Sequence, residues 1–103
     1  MIKKKKSVKS KKVYFYQDFV SQDEIDFHKF GPLTGFDIEK LLCNFLEDCY
    51  VAKLEKVLVI TGKGNIVRPA VNKLLKQNKY VQSFKSAGYF NGQSGAFEVE
   101  LKG

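Results

Sequence analysis

His28 is the one imidazole in a chain of 103 residues, and Asp26 stands two positions before it. An imidazole is the side chain best suited to moving a proton near neutral pH, and a neighbouring carboxylate can orient its ring. Further on, Thr61-Gly62-Lys63-Gly64 leaves an apolar run and enters a helix-like pattern that opens without a carboxylate. Two glycines bracketing a lysine let backbone N–H groups crowd around one oxyanion, and the lysine adds a full positive charge. Together these residues would suit phosphodiester chemistry. His28 would act as base or acid, with Asp26 behind it. Lys63 and the N–H groups around Gly62 and Gly64 would hold a non-bridging oxygen, Thr61 would donate a hydrogen bond, and Arg68 or Lys29 would grip flanking phosphates.

Each motif also has a plainer reading. An Asp-x-His pair is commonly a solvated surface pair, and a Gly-Lys-Gly turn is often only a turn. The turn is not a Walker loop, because the Gly-x4-Gly-Lys-Ser/Thr spacing is absent. One Asp and one His are too few to hold a divalent ion tightly. No metal site is assigned and no cofactor is required, although a loosely held Mg²⁺ is compatible with the set if substrate oxygens and water complete its shell. Cleavage without metal is easier on RNA, whose 2′-OH supplies an internal nucleophile.

Charge narrows the partners. The net charge of +7 resides in the N-terminus, where Lys3, Lys4, Lys5, Lys6, Lys9, Lys11 and Lys12 form a basic tail over residues 1–12. Like charges and little apolar content make that tail a disordered segment suited to phosphate backbones. From Val13 onward 11 basic and 11 acidic residues cancel. They are segregated: nine carboxylates lie between Asp18 and Glu55, whereas Lys56 to Lys85 holds seven basic residues and no acid. A surface for polyanions is one reading of that block, and a solvated face balancing an acidic first half is the other.

No run of 18 apolar residues is long enough to span a membrane, and MIKKKKSVKSKK lacks the apolar stretch of a secretory signal. Cys43 and Cys49 sit about 1.7 turns apart on a candidate helix and point to different sides, so they suit neither a disulfide nor a metal. A reducing, cytoplasmic setting is expected.

The elements that must position these residues follow from periodicity. Residues 13–23 form an aromatic-rich arm, with Tyr14, Phe15, Tyr16 and Phe19 expected to dock on the domain or to meet a partner. Asp23 to His28 alternates like a half-buried strand, with Ile25 and Phe27 inward and Asp26 and His28 outward. Thr34 and Asp37 resemble a capping box opening a helix with Ile38, Leu41, Leu42, Phe45, Leu46 and Cys49 on one stripe, ending near Ala52. Lys56 to Thr61 reads as an inner strand. A second helix carries Val67, Ala70, Val71, Leu74 and Leu75, with Pro69 in its first turn. Strands over Tyr80 to Ala87 and Ala96 to Leu101 flank a turn containing Asn91-Gly92. The order βαβαββ predicts an α/β two-layer domain over residues 24–103: a four-stranded mixed sheet with two helices on one face.

Ile25-Asp26-Phe27-His28 and Thr61-Gly62-Lys63-Gly64 resemble the Leu-Asp-x-His and Thr-Gly-x-Gly signatures of the Smr (small MutS-related) domain family. The likeness runs over residues 24 to 101. It includes the spacing of Leu33-Thr34 to Phe45-Leu46, a basic residue at Arg68, and the closing strand Phe97-Glu98-Val99-Glu100-Leu101. It departs where Lys29-Phe30-Gly31 forms an apparent three-residue insert after His28, and where the turn after Gly64 is one residue short. The resemblance implies a fold like the C-terminal domain of bacterial translation initiation factor 3. It also implies binding of DNA or RNA, with endonuclease activity in some members. The alternatives are a non-catalytic RNA-binding module, with the ribosome as one host, and a protein-interaction domain using the aromatic arm.

Overall fold

The structure, a computed structural model, describes residues 19–88 and 95–103. The basic tail, Tyr14 to Tyr16 and the Asn91-Gly92 turn lie outside the described residues. Elements follow as β1 (Asp23–Asp26), a 3-10 turn (Phe27–Lys29), α1 (Gly35–Val51), β2 (Lys56–Ile60), α2 (Val67–Gln77), β3 (Val81–Ser86) and β4 (Ala96–Leu101). The sheet order is β1-β2-β4-β3, with β1 parallel to β2 and both remaining pairs antiparallel. The expected mixed sheet with two helices is what forms.

Both helices cover one face. Ile38, Leu42, Leu46 and Cys49 of α1 and Val71 and Leu75 of α2 pack on Val57, Val59, Phe97, Val99 and Leu101 of the inner strands. The opposite face is not bare. Leu58, Ala87 and Ala96 form a second small buried cluster there with Ile60 against it. Glu98 is buried beside it, and its carboxylate accepts from the Gly88 N–H at 2.7 Å. Phe19, from the aromatic segment, lies on this side with the Lys56 ammonium 5.8 Å from its ring centre.

Local chemistry sets the ends of α1. Thr34 Oγ1 accepts from the Asp37 N–H and Asp37 Oδ2 accepts from the Thr34 N–H, each at 3.1 Å, so the capping box is closed. These bonds from the Thr34 main chain and side chain hold the Asp37 carboxyl below its ordinary range. The stability they contribute is therefore complete at neutral pH and fades as acid protonates that carboxyl. At the other end Ala52 is the cap, the Lys53 N–H donates to Tyr50 O and the Leu54 N–H donates to Cys49 O, both at 3.0 Å. That is a Schellman ending, which favours glycine at the position Lys53 occupies with φ 65°. Both cysteines are free; burial first, then Asp23 and Asp48, pushes the Cys49 thiol up to about 11.

One element differs from expectation. The first strand stops at Asp26, and Phe27 to Lys29 turn as a 3-10 helix. Phe27 still points into the core, as the alternation required, but His28 leaves the sheet. The cause is Asp26: its carboxylate accepts from the His28 main-chain N–H at 2.9 Å and caps the turn.

Lys53→Gly removes the left-handed strain of a side-chain-bearing residue. It is expected to raise stability by about 0.5–1 kcal/mol, after glycine's larger unfolded entropy is deducted. Urea unfolding of the two proteins measures it.

Candidate functional site

Parallel pairing puts Asp26 beside Ile60, so the segments that follow the two strands leave the same edge of the sheet. One carries His28, the other Thr61 to Gly64. Crevices outside the carboxyl ends of strands are where α/β folds hold ligands, and here the two motifs meet in one. The His28 ring lies against Gly62: a Cβ built there would stand 3.1 Å from Cδ2 and 3.5 Å from Nε2. Gly62 also has φ +76°, a backbone that only glycine adopts readily. The backbone conformation favours glycine there, and a Cβ would also press on the imidazole.

The loop below that contact is tied down by one carbonyl. Gly95 O accepts from the Thr61 N–H at 2.8 Å and from the Gly62 N–H at 3.0 Å. The Thr61 hydroxyl is buried and donates to Gly62 O at 2.7 Å, with Gly95 O at 3.3 Å. Thr61 and the Gly62 N–H thus shape the turn, whereas the sequence suggested that they face an anion. The N–H groups of Lys63 and Gly64 have no hydrogen-bond partner among the described residues. Gly64 has open space where a Cβ would stand and no left-handed φ, so nothing in the fold itself demands glycine there.

Beyond the turn, α2 starts at Val67 with neither a side-chain cap nor an acidic residue in its first turn. Its N-terminal dipole thus has no capping side chain and no first-turn carboxylate among the described residues to offset it. Arg68 is held elsewhere. Its guanidinium lies 4.0 Å from the centre of the Phe97 ring and donates to Ser86 Oγ at 2.7 Å and Ala96 O at 3.4 Å. It fastens α2 to β3 and β4. Asp26, expected to orient the imidazole, bonds the main chain of His28 instead, and no carboxylate hydrogen-bonds the ring among the described residues. Lys29 is exposed, next to His28.

Around His28 opens a cleft of about 430 Å³. Phe27, Phe30, Gly31, Pro32, Ile66 and Val67 form most of its wall. Phe30, Gly31 and Pro32 follow the His28 turn directly, and Ile66 is the N-cap residue of α2. Sequence reasoning named neither Phe30 nor Ile66 as site residues. Both are large apolar residues left exposed, a property that periodicity cannot assign to loop positions. No group of three or more His, Cys, Asp or Glu gathers in metal-binding range among the described residues.

A family model for the Smr domain matches residues 25–102. Endonuclease MutS2 of Clostridium beijerinckii is 37% identical over 75 residues, covering 69% of this chain and 10% of that protein. For endonuclease MutS2 of Clostridium acetobutylicum the figures are 36% over 104 residues, covering 97% and 12%. The chain thus spans about a tenth of the length of these relatives. The crystal structure of the Smr domain of Thermus thermophilus MutS2 superposes with a TM-score of 0.70 at 27% identity, covering 79% of this chain and 99% of that one. YdaL, a stand-alone small MutS-related protein from Escherichia coli, gives 0.69 at 28% identity, covering 78% and 64%.

The two motif glycines are expected to separate on substitution. Gly62→Ala should cost at least about 1 kcal/mol from the left-handed backbone alone and should move the imidazole. Thermal unfolding and the ring-proton resonances of the single histidine read both effects. Gly64→Ala should leave stability unchanged or raise it by a few tenths of a kcal/mol, roughly the entropic gain of Gly→Ala at an unstrained site.

Proposed function

The chain belongs to the Smr domain family, and from that premise we propose that it binds DNA or RNA at the His28 cleft and cleaves a phosphodiester bond there. The observation that carries this reading is the packing of the only imidazole on the glycine of the Thr-Gly-Lys-Gly turn. It sets a proton-transfer group against the turn that carries Lys63 and two N–H groups without a partner among the described residues, just ahead of a helix start that no side chain caps. In the proposed reaction His28 takes the proton from the attacking hydroxyl, which is water or, on RNA, the 2′-OH; the P–O bond to the leaving oxygen then breaks, and that oxygen takes its proton from the imidazolium or from water. Lys63 and the N–H groups of Lys63 and Gly64 stabilise the negative oxygens of the phosphorane. Lys29 contacts a flanking phosphate. Gly62 and Thr61 hold this arrangement without touching the substrate, and Arg68 braces α2 behind it.

No cofactor is part of this scheme. Asp26 is engaged with the main chain, so a Mg²⁺ would draw its ligands chiefly from substrate and water and would be held weakly. Two free cysteines suit a reducing cytoplasm. Among the described residues no helix is long and apolar enough to cross a membrane.

The same Asp26 bond favours a second reading, a non-catalytic RNA-binding module, with the ribosome as one host. An imidazole whose neighbouring carboxylate serves the backbone lacks the partner that fixes a catalytic tautomer.

Cleavage of labelled single-stranded RNA and of supercoiled plasmid, with Mg²⁺ and with EDTA, tests the proposal. His28→Ala is expected to reduce turnover by about 10²-fold or more while binding stays within a few-fold of wild type. Salt-sensitive binding without any cleavage by the wild type would leave the binding module standing. Equal cleavage by both proteins would remove His28 from the chemistry.

A further inference from the structure

The apolar character of the cleft is not accounted for by phosphate chemistry. A site that only gripped phosphates would be lined by donors and cations, yet this one is walled chiefly by Phe27, Phe30, Pro32, Ile66 and Val67. Phe30 is built as a fixed surface. Its N–H donates to Phe27 O at 3.2 Å, and its ring leans on the buried Phe27 ring with centres 6.1 Å apart and planes tilted by 52°. Even so, Phe30 remains 44% exposed, and Ile66 across the cleft is 71% exposed. Apolar groups held open to water are where binding surfaces are found.

Charge narrows the occupant. None of the described residues that line the cleft is acidic. Exposed Lys29 and Lys63 follow directly on His28, which lines the cleft, and on Gly62, which the His28 ring touches. A ligand that suits both features is flat and apolar in one part and anionic in the next. A nucleotide out of its helical stack has that form: a base with a π-face, joined to phosphates. We infer that the cleft is a base slot, in which one unstacked nucleobase lies on Phe30 against Ile66 while its phosphate meets His28 and Lys63. This rests on the nucleic-acid reading above and gives it a substrate class: single-stranded or locally unpaired nucleic acid, since a base inside a duplex cannot reach Phe30.

The test uses the full chain and a single-stranded oligonucleotide carrying one 2-aminopurine, whose fluorescence reports stacking, beside the fully paired duplex of the same sequence. Phe30→Leu keeps apolar volume against Phe27 and loses the ring face; Phe30→Trp restores a face. Phe30→Leu is expected to weaken single-strand binding by about ten-fold, within the range of one lost base–aromatic stack. It should also abolish the 2-aminopurine signal, leave duplex binding and the salt slope unchanged, and be reversed by Phe30→Trp. Wild-type binding that is salt-sensitive but indifferent to Phe30→Leu would overturn the slot and leave the phosphate site intact. Equal loss for single strand and duplex would also overturn it. Absence of any nucleic-acid binding at low salt would remove both readings together.

Discussion

The whole site depends on a ring lying against a backbone carbon. His28 approaches Gly62 so closely that a Cβ there would press on its ring at 3.1 Å, and Gly62 holds a left-handed backbone that other residues resist. Neither residue could be placed alone. Gly62 is fixed because its own N–H and that of Thr61 share Gly95 O, which ties the end of β2 to the start of β4. His28 is fixed because Asp26 caps its turn. Two motifs far apart in the chain meet because parallel pairing of β1 and β2 brings both exits to one edge of the sheet.

That arrangement divides the motif residues into two groups. Asp26, Thr61 and Gly62 serve the backbone, and Arg68 lies flat on Phe97 between α2 and the sheet. The motif groups without such a structural bond among the described residues are the imidazole ring, the Lys29 and Lys63 ammonium groups and two N–H groups of the turn. The contrast between the glycines follows from the same division. Gly62 is demanded by φ and by its neighbour, whereas Gly64 meets nothing. A glycine without a steric reason in the fold is one whose reason can lie in the approach of another molecule.

Local chemistry was the most legible part of the sequence. Thr34 and Asp37 announce the start of α1 because a capping box involves only residues three apart. β2 is readable because a strand buried on both faces must be apolar throughout, as Val57, Leu58 and Val59 are. The end of β1 was not readable. Phe27 points inward whether the chain continues as a strand or turns, so alternation could not detect the change, and only the Asp26 bond decides it. Glu98 alternates as an outward residue should, yet it is buried, because period two names a face without saying whether that face is covered. Arg68 shows the remaining limit. No local pattern could reveal a ring waiting 29 positions away.

The acid-free stretch from Lys56 to Lys85 reads either as a surface for polyanions or as a solvated face, and several of its cations have neighbours away from the cleft. Lys56 stands over Phe19, and Lys79 lies 5.2 Å from the centre of the Tyr80 ring. The Lys85 ammonium is 4.0 Å from Glu98 in a pair with an exposed cation, a contact of little strength. Arg68 is held against Phe97, and from this block only Lys63 adjoins His28's contact with Gly62. Attraction between exposed charges at the cleft is screened beyond about 8 Å at physiological salt. Selectivity there must come from short-range contacts. The contacts available are the imidazole, the N–H groups of the turn and an apolar wall whose Phe30 and Ile66 stay open to water.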